Sequence, residues 1–375
     1  MVLAGMVPTG GVRVVGGVAL TPPDAPVARV TESVGLFQRQ GTPSDTSTQP
    51  GWSGLSILGG YVKGMVVNAY WNDFQPTATT DSVPATNAIS TAIAFATANG
   101  LQLKVRLFAG VHAPGWAKAL SGGSVTMFEP QSSVFFECPR FWHPDYIAAF
   151  GAFMAKIKEA YGLDPAIDEW AITGPMTYYA EPMLTQTATQ ADPVKNTETA
   201  NNRARLIAAG YTIAAHDTAF RQCIDMHTGL RGVSALACNA LQQVNSDGTF
   251  TKSSAKTVSL MTYARTVLGG RGGVGNNSLR HSPPNWDAVN DVWPGEYATI
   301  YTQIKTMGHP SYIQTAQPTL VGNLYEACKA SARMGVTMIE LPGGTSSYTS
   351  TGTAAGLSPA QFDEINGLLA ANAAL

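Results

Sequence analysis

Short apolar runs and amphipathic stretches take turns along most of this chain, and their alternation is the first thing the sequence establishes. Apolar runs at 34–37 (VGLF), 64–70 (GMVVNAY), 101–108 (LQLKVRLF), 169–173, 233–237, 273–275, 311–314 and 336–341 have strand length and carry β-branched or aromatic residues. Between them lie segments whose apolar residues recur every three or four positions. The clearest is 144–161, where Tyr146, Ile147, Phe150, Phe153, Met154 and Ile157 form one stripe behind Pro144. Helices are also expected over 52–61, 84–99 with a stop at Gly100, about 198–224, 255–268, 296–307, 321–334 and 358–373, the last capped by Ser358 and Pro359.

Eight strands, each followed by a helix, with strands apolar throughout rather than alternating, predict an α/β fold: a parallel (β/α)8 TIM barrel over residues 29–375. A doubly wound open sheet is the rival. It would need a glycine-rich phosphate loop between the first strand and its helix. The glycine cluster at 269–273 instead precedes a strand. Residues 1–28, with paired glycines, alternating valines and Pro22-Pro23, read as an N-terminal arm or hairpin outside the repeat. The stretch 120–143 is rich in Pro and aromatic residues and is expected to fold over one face of the barrel.

Composition narrows the partners. Across 375 residues, 13% are charged and the net charge is −2, so the surface must be rich in Ser, Thr, Asn, Gln and Gly. That gives no basic field for nucleic acid. The longest apolar run is too short for a membrane helix, and the start of the chain lacks the pattern of a signal peptide. Neutral polar surfaces suit carbohydrate, or packing within a larger assembly. Cys138, Cys223, Cys238 and Cys328 are widely spaced and read as buried free thiols, ahead of a disulfide or a zinc site. No set of His, Asp and Glu has metal-ligand spacing, and no cofactor is expected.

In a barrel of this kind the reacting groups sit at the C-terminal ends of the strands. Those positions hold Trp71, Asn72 and Asp73 after the second strand, and His112 and Trp116 after the third. Tyr178, Tyr179 and Glu181 follow the fourth, Asn239 and Gln242 the fifth. Asn276, Asn277, Arg280 and His281 follow the sixth, Gln314 and Gln317 the seventh, and Glu340 lies in the eighth. Ring faces and amides in such numbers, with few charges, fit a sugar: rings stack on its faces and amides or carboxylates fork onto its hydroxyls.

Several of these residues have a second reading. Glu181 is either a catalytic or ligand-binding carboxylate or an acceptor that fixes its own loop. Glu340 is either functional or the partner of Arg106, which lies mid-strand and needs a counter-charge if it faces inward. Trp71 and Trp116 are either sugar platforms or packing beneath the third loop, His112 either a substrate ligand or a satisfied rim residue. Asn276 and Asn277 are either ligands or turn residues. His216 and His227 read as structural.

The segments GMVVNAYWNDFQP, LQLKVRLFAGVHAPGWAK and YIAAFGAFMAKIKEAYG followed by IDEWAITGPMTYYAEP resemble the second to fourth strand units of (β/α)8 glycoside hydrolases of the cellulase and β-galactosidase-like group. The motifs span about residues 64–184. The resemblance implies a glutamate after strand four as general acid/base, and Glu181 matches it. It also implies a nucleophilic glutamate at the end of strand seven, where this chain has Gln314 and Gln317. An amide cannot serve as glycosyl nucleophile. Glu340 is the substitute: strands four and eight lie across the barrel, so the two carboxylates would be water-separated, about 6.5–9.5 Å apart, with Glu181 as acid and Glu340 as base of an inverting reaction. Asp73 and Glu129 are reserve carboxylates.

Two functions follow. One is a glycoside hydrolase acting on a polysaccharide or cell-wall glycan. The other is a non-catalytic, glycan-binding or structural barrel of an assembly. The Ala-, Thr- and Gly-rich composition resembles that of phage minor tail proteins, which implies a virion or cytoplasmic location and other tail proteins as partners through the N-terminal arm.

Overall fold

A computed structural model of the protein describes residues 32–39, 60–130, 132–175, 178–179, 181–184, 192–281, 293, 295–316, 318–342 and 356–375. The N-terminal arm, nearly all of the helix expected at 52–61, and Gln317 lie outside these residues.

Eight parallel strands close into a barrel. They are β1 (Gly35–Arg39), β2 (Gly64–Tyr70), β3 (Gln102–Phe108), β4 (Glu169–Ala171), β5 (Val233–Ala237), β6 (Gly272–Leu279), β7 (Ser311–Thr315) and β8 (Met338–Leu341). Each pairs with its sequence neighbours, and β1 pairs with β8 to complete the ring. Closure leaves no edge to protect, and burial on both faces explains why the strands read as continuous apolar runs.

Helices fill the crossovers where the apolar periodicity placed them, including Ala88–Asn99, Pro144–Tyr161, Ser254–Leu268, Glu296–Met307 and Pro359–Ala373. Their ends follow side-chain chemistry. Asn87 accepts from the backbone N–H groups of Ile89 and Ser90, and Ser358 and Gln361 cap each other reciprocally.

Two expectations need correction, and the 120–143 excursion takes a definite form. The sixth strand, expected over three residues, runs for eight; its glycines and asparagines hid it because Gly273 and Gly275 face neighbours too close for any side chain, Ala235 and the Tyr312 ring. The single helix expected to run to residue 224 is two, Pro193–Ala208 and Ile213–Asp225, broken where Gly210 takes φ +85° and Thr212 caps the second. The 120–143 excursion is a β-hairpin, Val125–Glu129 paired with Val134–Cys138, and a second hairpin, Leu241–Val244 with Phe250–Ser253, follows β5.

The core has two parts. Leu103, Val105 and Leu107 point outward into the large helix–strand layer, with Trp71, Phe150, Phe153 and Ile365. A smaller cluster joins Phe37, Val66, Val233, Ala235, Ala237, Tyr312 and Met338. Side chains from β1, β2, β5, β7 and β8 can meet only inside the barrel. Gly64 is required there, since a Cβ at that position would enter the Phe37 ring.

Candidate functional site at the barrel mouth

The alternation of β3 decides the barrel's interior. With Leu103, Val105 and Leu107 outside, Lys104 and Arg106 must point inward, and both are buried. Buried charges need partners. Lys104 Nζ lies 2.5 Å from Glu169 of β4 and 2.9 Å from Glu340 Oε1 of β8, and sits 3.0 Å from the centre of the Tyr312 ring. Arg106, one layer nearer the mouth, donates to Glu340 Oε2 and to the Gln314 side-chain carbonyl of β7. Two cations and two carboxylates thus close a network across the interior, with Tyr312 as its apolar floor. Arg106 is drawn down to about 10 because burial disfavours its charge.

Glu340 therefore occupies a different place from the one its position at a strand end suggested. It is 0% exposed, and each of its oxygens faces a cation. A carboxylate so held is fully buried and committed to two cations. Gln314, at the strand-seven position, serves the same network: its oxygen accepts from Arg106 and its amide nitrogen lies 3.5 Å from the Asn277 carbonyl.

Glu181 stands above this floor. Its loop leaves β4 through Thr173, whose hydroxyl donates to the Leu107 carbonyl at 2.6 Å, and through Gly174 at φ +81°, where a Cβ would press on Phe220. The Tyr146 hydroxyl donates to the Pro175 carbonyl at 3.2 Å, and the Leu184 N–H donates to the Gln242 side chain at 2.9 Å. Held at both ends, the loop turns Glu181 toward the top of β5, where it accepts from the Asn239 N–H. The side chain is 9% exposed and its Oε2 has no hydrogen-bond partner. Burial raises its pKa to about 7, against the opposing pull of the Asn239 N–H and the Arg106 charge.

The other expected site residues divide. At the rim, His112 packs on Tyr70 at 4.2 Å and edge-on to Phe108 at 5.5 Å; burial lowers its pKa to about 4, so it is neutral near pH 7. Asn239 and Asn276 bond each other at 2.7 Å, with Asn239 reaching Ser278 and Asn276 accepting from Tyr301. These amides brace the β5–β6 rim beside Glu181. Asp73 is exposed on the short helix Trp71–Phe74, and burial of part of its surface raises its pKa.

Trp71 is not a platform. It is 0% exposed, stacked on Phe153 at 5.2 Å with Trp116, Tyr146 and Phe150 around it, and its indole N–H donates to Gln75. Trp116, half-buried, meets it edge-on and donates to the Gln75 carbonyl. Tyr178 and Tyr179 turn to the first hairpin: Tyr178 packs on Phe136, and Tyr179 donates to Glu129 at 2.5 Å. Glu129 also accepts from Ser132, so this reserve carboxylate is fully engaged in fastening hairpin to loop. Asn202 holds the same hairpin from the far side, bonding both the N–H and the carbonyl of Phe128 at 2.8 Å.

Lys104, Glu169 and Tyr312 were not anticipated. The signal for Lys104 was present, since two cations two residues apart in an otherwise apolar strand must share a face. Among the described residues no three or more His, Cys, Asp or Glu side chains gather as metal ligands, and no helix is long and apolar enough to cross a membrane.

No protein-family model matches the sequence, and no curated protein matches it. Solved structures do. The catalytic domain of a β-amylase from Paenibacillus polymyxa superposes with a TM-score of 0.53 at 9% identity, covering 89% of this chain and 98% of that one. What the two share is the barrel. An endo-β-1,4-xylanase of glycoside hydrolase family 10 from Gloeophyllum trabeum (TM-score 0.44, 12% identity, 91% and 97% covered) and endo-glycoceramidase II from Rhodococcus sp. (0.47, 11%, 91% and 81%) are similar at lower scores. At these identities the likeness is one of fold.

Proposed function

We propose that the barrel binds a saccharide of a cell-surface polysaccharide across its C-terminal mouth, with Glu181 as the central contact. The observation that carries this reading is Glu181 itself: a buried carboxyl held by its loop at the strand-four position, with one oxygen unpartnered, above a floor that ends in Arg106. An unpartnered buried polar atom is costly unless a ligand or water meets it. The half-buried rim of neutral His112, Tyr70 and Asn239 supplies rings and an amide suited to a sugar. Barrel-fold neighbours that act on carbohydrate support the substrate class by analogy of fold.

Binding without cleavage is the form we favour, because Glu340, the candidate base, is fixed by Lys104 and Arg106. Hydrolysis is the second reading. It draws on the Glu181 pKa of about 7, which keeps a proton available to a leaving glycosidic oxygen near neutrality. As the setting we propose an assembly that meets a cell surface, such as a phage tail; the low charge and the neutral polar composition support it.

Wild-type protein and Glu181→Gln are incubated with cell-wall and capsule polysaccharides, and both retention and reducing ends are measured. Retention by the wild type with background release of reducing ends from both proteins is the expected result. Release that disappears in Glu181→Gln establishes the hydrolase instead. No retention on any polysaccharide removes the saccharide reading.

A further inference from the structure

The first hairpin turns one edge of its backbone to solvent, and its hydrogen bonds reveal which residues line that edge. In an antiparallel pair, residues opposite each other either exchange backbone bonds or point both sets of groups outward. Asn202, on the helix Pro193–Ala208, bonds the N–H and the carbonyl of Phe128 at 2.8 Å each. Phe128 therefore points its groups away from the hairpin, and so does Phe135 opposite it. Glu137, opposite Thr126, repeats the pattern two residues on. Asn202 thus covers the Val125–Glu129 edge. Among the described residues, no backbone group from outside the hairpin reaches Phe135 or Glu137 on the other edge.

Nothing in the side chains guards this second edge. Edge strands are commonly protected by lysine, proline or a bulge. Here the strand reads VFFEC, with Val134 40% and Phe135 55% exposed and Glu137 as its one charge. Glu137 is exposed too, accepting from the hydroxyls of Ser124 and Thr126, and the strand becomes buried only at Cys138.

The strand is also complementary to itself. Turned about a two-fold axis at Phe136, a second copy sets its Glu137 opposite Phe135 and its Phe135 opposite Glu137. Those are the residues with outward groups, so backbone bonds form at both places. Glu137 never faces its own image, and residues paired across strands share a face of the sheet. Arg205 stands over that face of Phe135, its guanidinium carbon 5.7 Å from the ring centre. It donates to Glu198 at 2.8 Å, and a guanidinium with five donors has room for a second carboxylate. The incoming Glu137 therefore meets a cation.

We propose that this edge pairs with the same edge of a second copy of the chain, joining two barrels through one antiparallel four-stranded sheet. A two-fold contact of this kind is closed, so assembly stops at the dimer. The pairing does not depend on the saccharide reading.

Sedimentation velocity of the full-length chain over a concentration series is expected to show monomer and dimer in equilibrium. Phe135→Lys, which puts a charge on the free edge, should sediment as a monomer throughout while its thermal unfolding stays unchanged. Phe136→Cys reads the register. Across the axis its Cα atoms would lie about 4.5 Å apart, within the range a disulfide spans. Mild oxidation should then give a covalent dimer of this variant, and none of the wild type, whose cysteines are buried. Hydrogen exchange at the Phe135 and Glu137 amides should slow as the concentration rises. A wild type that remains monomeric at every concentration overturns the proposal. So does a dimer that Phe135→Lys leaves intact, or one in which Phe136→Cys fails to cross-link, because the interface then lies elsewhere. Protection of the Phe135 amide in the monomer also overturns it, since the chain's own residues would then cover the edge.

Discussion

Arg106 on β3 reaches across the barrel to Glu340 on β8, and Lys104, two residues earlier on the same strand, holds the other oxygen of that carboxylate at 2.9 Å. The strand-eight glutamate is thereby a keystone of the interior. Its removal exposes two buried cations to each other with Glu169 alone between them. Breaking such a network costs about 3–5 kcal/mol. Glu340→Gln is accordingly expected to lower the denaturant midpoint strongly, as measured by urea unfolding. A full-strength fold with lost reducing-end release would make Glu340 a catalytic residue instead.

Protonation of Glu181 couples the site to stability. Its carboxyl rises from 4.5 to about 7 on folding, so between those values the folded chain holds a proton that the unfolded chain has released. Stability from this group is therefore complete below pH 4.5 and declines as the pH rises to 7, by about 3 kcal/mol at ~1.4 kcal/mol per unit. The opposite sign belongs to His112, His216 and His227, each lowered by burial to about 4. They favour the fold above pH 6.5 and lose that contribution as the pH falls toward 4. Comparing unfolding free energies of wild type and Glu181→Gln at pH 5 and pH 8 isolates the carboxyl. The wild type should lose ground against the variant as the pH rises, and parallel curves would show that Glu181 is solvated.

Trp71 belongs to the core. Trp71→Ala is expected to destabilise the protein by about 3–5 kcal/mol, as truncation of a buried tryptophan does. Trp71→Phe should retain most of the packing against Phe153 and leave oligosaccharide affinity within twofold of wild type. A large loss of affinity in a stable Trp71→Phe protein would return the indole to the binding surface.

Asn202 fastens the first hairpin through both backbone groups of Phe128. Asn202→Leu leaves a buried N–H and a buried carbonyl unmet, at about 1–3 kcal/mol. The effect should be local. Hydrogen exchange is expected to quicken in 125–138 and in the attached Tyr179 loop, with the β2 and β3 amides unchanged. Uniform loss of protection throughout the barrel would mean that the hairpin is part of the global folding unit.

Much of the architecture was legible in the residues. Parallel strands buried on both faces have to be apolar at successive positions, so β2, β5 and the helices Pro144–Tyr161 and Glu296–Met307 stood out with their observed bounds. Chain order then put Glu181 after β4, and Arg106 in a buried strand announced a hidden counter-charge. What the sequence could not determine is which side chains meet when the ring closes. Glu340 comes from a strand that is not adjacent to β3, and only closure brings it to Lys104 and Arg106. Trp71 has the composition of a sugar platform, yet its place in the first turn after β2 turns it toward Phe153. Tyr178 and Tyr179 look equally exposed in a loop, until the hairpin supplies Phe136 and Glu129. Local pattern fixes the elements because propensity and burial act along the chain. The chemistry at the mouth was decided by contacts between residues 50 to 230 or so positions apart, and those exist only in the folded barrel.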